Sequence, residues 1–500
     1  MIQHNRLLYL LPFFLCAIAL IWSVQHDPFF WDTVQLASKH AHHFYTNGLR
    51  WLPLPEEIDS GHPPVFGYYI ACIWSVFGKN MPASHWAMLP FLLLNIWLLY
   101  LLGLRLGGQK WAFWLIPLVL LDPVMAGQSV LISPDLVLVC GFLFAVEGIS
   151  GKNKFFTATG ILLLCMISVR GMMTAGALAV WVGLMGLKVS GFKGFRVGRI
   201  VPSAFQFFIN FVKPYLPFLP GFVFAAWFFW WHKQATGWIG LHPGSPWAPT
   251  FEPARGLELV RNLLVIGWRW LDFGRVFEWA ILGWLLWKNR PATRKNVRLE
   301  NRESLKSLLL LLICLIVLLS QSALFFKNVS AHRYFLPGFL TLHFIVFQTL
   351  VSVRSTVSNQ WRNRNPATLA VMMSILILSL GLGNLWIYPR GIAMGWDSTL
   401  AHLPYHRIRA EAVAYLDENE IDFNTVGSAF PNLNTGENLM LNGDQRRFAD
   451  QNLLQNDYFF ASNVFNDISE TDFGMLQRDW ILVKKWQQSG VWIELYKRRY

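Results

Sequence analysis

The sequence predicts an all-α polytopic membrane protein that ends in a small soluble α/β domain, and three observations carry this. Hydrophobic residues make up 54% of the 500 and charged residues only 14%, where a water-soluble domain carries about 25% charged residues. A chain so poor in charge needs lipid as the solvent for most of its surface. Trp and Phe are abundant, at 25 and 40, as expected of aromatic anchors at membrane interfaces. The acidic residues are unevenly spread: fifteen of the 29 lie between Asp397 and Glu494. The division expected is therefore a transmembrane module over 1–388 and a soluble domain over 389–500.

A crossing of about 30 Å needs about 20 apolar residues. The candidate spans are 7–24, 86–104, 111–130, 135–149, 155–169, 171–187, 214–231, 275–287, 306–326, 334–351 and 367–388. The first reads as uncleaved, because Ser23-Val24-Gln25-His26-Asp27 lacks the small residues of a signal-peptide cleavage site. Basic clusters at Arg105–Lys110, Lys152–Lys154, Lys188–Arg199, Lys288–Lys306 and Arg354–Arg364 test the order, since such clusters stay cytoplasmic. With the N-terminus inside, all of them do so provided that 64–78 does not cross. That segment follows His62-Pro63 and reads as re-entrant, a structure tolerated where protein covers the backbone. Eleven spans then place the C-terminus outside, along with a first outer loop over 25–85. The net charge of +13 is explained by these topology clusters, so no nucleic-acid partner is expected.

Two stretches outside the spans have amphipathic spacing. Residues 257–272 and 33–47 read as helices lying on the outer face, the second stopping at Asn47-Gly48. His40, His42 and His43 fall on that second helix; without a nearby carboxylate they read as part of a solvated face. The five cysteines sit in apolar runs with no Cys-x-x-Cys spacing and read as small hydrophobes. In the tail, 407–419 has helical spacing, Asn424–Ser428 is strand-like, and Trp480–Val483 with Val491–Tyr496 reads as a hairpin around Ser489-Gly490.

Four short motifs fall on the outer side of this topology. They are Phe29-Phe30-Trp31-Asp32-Thr33, Asp59-Ser60-Gly61-His62-Pro63-Pro64, Ile132-Ser133-Pro134-Asp135 and Ala331-His332-Arg333-Tyr334-Phe335-Leu336-Pro337. Together they supply the groups needed for sugar transfer from a lipid phosphate. A carboxylate can take the proton of an acceptor hydroxyl, and cations can stabilise the phosphate as its charge grows. Asp32 is the candidate base and Asp135 its catalytic companion. His62, Arg170, His332 and Arg333 are the candidate phosphate ligands, Arg because its planar fork matches phosphate oxygens. A divalent metal ion is the candidate cofactor, with Asp32 and Asp135 as its ligands. The rival reading from another class is a transporter or flippase of a lipid-linked substrate, whose expected signs are internal repeats and broken helices meeting at the midplane. No repeat is evident in the sequence.

An acidic residue after the first span, then His-Pro-Pro, then Pro-Asp, then Arg-Tyr-x-x-Pro: in this order the motifs resemble the GT-C glycosyltransferases. Within them the chain is most similar to the protein O-mannosyltransferase-like group, which includes the bacterial lipid A aminoarabinose transferases. The resemblance covers residues 7–350 and is densest from 26 to 150. It implies a GT-C fold, a polyprenyl-phosphate-linked sugar donor, and a protein, lipid or glycan acceptor. It also implies a catalytic Asp in the first outer loop, here Asp32, in an active site facing the outside of a bacterial inner membrane. The chain has Asp32-Thr33 where O-mannosyltransferases have Asp-Glu, and His62-Pro63 where aminoarabinose transferases have Lys-Pro, which leaves sugar and acceptor open.

Overall fold

In the computed structural model, the described residues are 8–190, 212–242, 244–245, 248, 252–288, 299–327, 331–356, 366–389 and 395–500. Every candidate span is helical within them. Among the described residues five helices are long and apolar enough to cross a membrane: Met81–Gly107, Pro134–Gly151, Val169–Gly186, Glu303–Phe325 and His332–Ser352. The basic clusters Lys188–Arg199, Lys288–Lys306 and Arg354–Arg364 lie partly outside the described residues.

One span departs from expectation. Residues 111–130 do not form a straight crossing but two helices, Ala112–Leu120 and Pro123–Val130, bent by 73°. The break is local chemistry. Pro123 has no N–H to continue the first helix, and the Asp122 carboxylate instead accepts from the amides of Val124 (2.9 Å) and Met125 (3.3 Å), capping the second. Pro123–Val130 is buried along its whole length. Asp122 is itself held by Arg275, whose Nε and an Nη donate to it at 2.9 and 2.8 Å. Both side chains are completely buried, a placement that demands such pairing.

The first outer loop also differs. Its helix runs from a wide π-helical turn, Val34–Lys39, into Val34's continuation His40–Thr46, with Gly48 at φ +64 beyond the stop. It is not a solvated face. His40 is buried, with Nε2 2.9 Å from the Ile58 carbonyl, and His42 pairs with Glu437 of the C-terminal region at 3.0 Å. The segment expected to be re-entrant is the 13-residue helix Val65–Phe77, packed so closely that a Cβ on Gly67 would lie 2.3 Å from that of His40. Leu257–Arg269 matches expectation: Leu257, Val260, Leu264 and Trp268 are exposed, while Asn262, Ile266 and Arg269 are buried.

The C-terminal region folds around one five-stranded sheet: β1 (Val426–Ser428), β2 (Ala449–Asp450), β3 (Tyr458–Ser462), β4 (Trp480–Gln488) and β5 (Val491–Arg498). Their order is β2-β1-β3-β5-β4. β1 pairs in parallel with β2 and β3, whereas β5 runs antiparallel to both β3 and β4. The expected hairpin is the β4–β5 pair, turning at Ser489 and Gly490, both at positive φ. Leu403–Glu418 buries Ile408, Ala412 and Leu416 in the sheet core beside Phe460 and Ile493. Phe30, Val130 and Leu131 join the same core. The C-terminal region is therefore seated on the 25–85 segment and the broken helix, which is what positions the site.

A candidate glycosyl-transfer site around Arg333

Each of the four outer motifs is shaped by its own local structure. In the first, the Thr33 hydroxyl accepts from the Phe30 amide (2.9 Å) and donates to the Phe30 carbonyl (2.8 Å), closing a tight turn. Trp31 in that turn has φ +50, a strained value for a bulky residue and one that clusters at functional sites. The turn leaves Asp32 without a capping hydrogen bond, and its carboxylate meets Arg333. In the third motif, Ser133 accepts from the Asp135 amide (3.1 Å) and starts the helix Pro134–Gly151. Asp135 thus stands, 1% exposed, in a first helical turn, where the helix dipole favours negative charge. Arg170 is the second residue of Val169–Ser190, after an extended break at Ser168. Arg333 lies in the short 3₁₀ turn His332–Phe335.

Folding brings these together. The buried Arg333 guanidinium donates to Asp32, lies 3.5 Å from an Asp135 oxygen, and has its Nε 3.1 Å from Asp397. Arg170 contacts the other Asp135 oxygen at 2.8 Å and donates to the Arg333 carbonyl at 3.0 Å. Both guanidiniums face the Tyr334 ring, at 4.7 and 5.1 Å from its centroid. Asp32 is the most open member, its side chain 24% exposed against 2–6% for Asp135, Asp397 and Arg333.

His62 joins through its Nδ1, which accepts from the Val169 amide at 3.4 Å. Burial, aided by Arg170, pushes its pKa down to about 4, so near neutral pH the ring is uncharged and is no cationic phosphate ligand. It reaches this position because its motif is pinned on both sides. Asp59 accepts from the Gly61 amide (2.9 Å) and contacts His232 Nε2 (2.9 Å). Gly61, at φ +69, lies against the backbone of Gly240, where a Cβ would come to 2.7 Å.

His332 does not join. In the 3₁₀ turn it projects to a different side from Arg333, and its Nε2 meets Asp272 at 2.5 Å. There it belongs to a fully buried polar network in which Asp272 and Asp122 both contact Arg275, and His343 links Asp122 to Glu278. Its role as a phosphate ligand is corrected: it braces the fold beside the site.

Asp397 was not foreseen. It follows Trp396 in the turn Trp396–Ser398 of a tail whose acids read as solvent-facing, and nothing in its spacing marks it. The broken helix holds it in place. Gln128 Nε2 donates to the Asp397 carbonyl at 2.7 Å, its oxygen accepts from Ser133, and Gly127 packs on the same backbone. Gln128→Ala removes both buried hydrogen bonds and is expected to lower stability by about 2–3 kcal/mol, at roughly 1–1.5 kcal/mol for each bond. A fall in melting temperature relative to the parent, with the protein still expressed, checks this.

Two carboxylates on one cationic hub also bear on the metal expectation. Asp32 meets Arg333 through Oδ2, and Asp135 faces Arg170 through one oxygen and Arg333 through the other; among the described residues no three His, Cys, Asp or Glu side chains form a ligand set. Arg333 lies against both carboxylates, so a divalent ion shared by Asp32 and Asp135 would have to displace it, and the arrangement does not fit one.

No protein-family profile and no curated protein sequence matches the chain. Two solved structures do resemble it. ArnT from Cupriavidus metallidurans bound to undecaprenyl phosphate superposes with a TM-score of 0.51 at 12% identity, over 97% of this chain and 98% of that one. The apo state of the same protein gives 0.51 at 11% identity, over 97% of both chains. At such identity the likeness is one of fold, and it spans the helical module and the C-terminal sheet together: this chain shares the fold seen in ArnT.

Proposed function

We propose that the protein is a membrane glycosyltransferase that moves a sugar from a polyprenyl-phosphate-linked donor to an acceptor on the non-cytoplasmic face. The observation that carries this is the gathering of Asp32, Asp135, Arg170, Arg333 and Asp397, from five distant stretches of chain, into one buried cluster. Support comes from the ArnT fold and from the undecaprenyl phosphate bound by that protein.

The cluster holds three carboxylates against two guanidiniums, so fully ionised it is one charge short of balance and would repel an incoming phosphate. Asp397 supplies the adjustment. Burial raises its pKa to about 6, with Asp32 and Asp135 adding to the effect and Arg333 opposing it. Arg333 now donates to Asp32; a donor phosphate would take the carboxylate's place on that guanidinium. Released, Asp32 is free to accept the proton of the acceptor hydroxyl as its oxygen attacks the anomeric carbon. Arg333 and Arg170 then hold the departing polyprenyl phosphate while its charge grows. In-line attack of this kind inverts the anomeric centre. The eleven crossings, a bacterial inner-membrane setting, and an outward-facing C-terminus belong to the same proposal.

Comparative mass spectrometry of surface glycans and lipid A, from cells carrying and lacking the protein, tests the reading. A glycan or lipid A species that appears only with the protein supports it; identical profiles, with donor available, overturn it. A pH dependence follows as well. Asp397 is ionised above about pH 6 and then competes with the phosphate for Arg333, so donor KM is expected to rise as pH climbs through 6. Asp397→Asn should flatten that limb; a limb that survives in the variant refutes the assignment.

A further inference from the structure

The helix Pro134–Gly151, which carries Asp135 in its first turn, is 18 residues long, about 27 Å along its axis. At its far end lies a cavity of about 300 Å³, lined by Lys152, Lys154 and Lys213 together with Ile149, Val182, Pro214 and Pro217. We propose that this groove binds the phosphate of an anionic phospholipid from the leaflet opposite the catalytic cluster.

Charge is the first argument. Among the described residues three lysines line the cavity and no carboxylate does; the nearest acid on that helix end, Glu147, is already paired with Arg105. The helix Lys154–Ile167 starts here, and its positive end adds to the attraction. The groove is also built rather than incidental. The 3₁₀ segment Lys213–Phe218 closes it, approaching the neighbouring helix so nearly that a Cβ on Gly183 would meet the Tyr215 hydroxyl at 2.3 Å.

Apolar surface decides between a lipid and a free phosphate. Beside the groove Phe155, Leu216 and Leu219 are 73%, 54% and 58% exposed, a strip suited to acyl chains. Basic pockets between helices at this level of a membrane recognise lipid phosphate, to which each nearby Lys adds attraction.

The test is native mass spectrometry of the full chain in detergent, titrated with phosphatidylglycerol or phosphatidylcholine. The parent should bind phosphatidylglycerol at least tenfold more tightly. Lys152→Gln, Lys154→Gln and Lys213→Gln combined should erase that preference, whereas Lys110→Gln, in another basic connection, should keep it. All three lysines are exposed, so an unchanged melting temperature is expected of the triple variant. Equal binding of the two lipids by the parent, or a preference that survives in the triple variant, overturns the proposal. Displacement of the lipid by millimolar inorganic phosphate, with the same lysine dependence, would assign the groove to a soluble phosphate and likewise overturn it. None of these outcomes involves turnover, so they stand apart from the glycosyl-transfer reading.

Discussion

Arg333→Lys is expected to reduce kcat/KM for transfer by 10²–10³, a loss of about 3–4 kcal/mol of transition-state stabilisation, with the protein still folded. The guanidinium meets three carboxylates from three parts of the chain, with Asp32 and Asp397 approached by different nitrogens. An ammonium keeps the charge but is a compact point donor, and it cannot span those directions. The departing phosphate would lose its bidentate partner. Truncation to alanine is a less informative test. It would leave the buried Asp135 and Asp397 uncompensated, and removing one partner of such a pair costs about 3–5 kcal/mol of stability. Steady-state kinetics with a polyprenyl-phosphate sugar, read beside melting temperature, separates the two effects. Near-parental turnover in the lysine variant would show that Arg333 is only a structural brace.

Asp32→Asn is expected to lower kcat by about 10³, within the 10²–10⁴ typical of a positioned general base, while donor binding stays equal or tightens. The second half of that expectation is specific to this geometry. Asp32 and the donor phosphate compete for one guanidinium, so an uncharged amide should leave Arg333 more available. Binding of a non-transferable polyprenyl phosphate, set against turnover of the same variant, checks both halves. A transporter would tolerate the change with little loss of flux. Weakened binding together with weakened turnover would instead place Asp32 among the groups that hold the donor, and remove it as the base.

Much of the helical module was legible because lipid simplifies the problem. Apolar runs of sufficient length must be helical where water is absent, and every such run here is. The bend at Asp122 was not visible: 111–130 reads as one continuous apolar run, and its break depends on a carboxylate that becomes affordable in that setting only when Arg275 arrives from 153 positions away. The histidines at 40 and 42 misled for the opposite reason. Their helix has an amphipathic pattern, but the surface covering its polar side comes from Ile58 and Glu437, and local periodicity cannot report a distant partner.

The sequence by itself determined the apolar helical module, the motifs that carry Asp32, His62, Asp135, Arg170 and Arg333, and the small α/β tail, since composition, the length of apolar runs and local spacing are properties of the chain alone. Only the tertiary structure decided which of these residues meet. It turned His332 away from its neighbour Arg333, neutralised His62 by burial, and brought Asp397 from the soluble tail onto the same guanidinium. Those outcomes depend on desolvation and on contacts hundreds of residues apart, and neither quantity exists until the chain has folded.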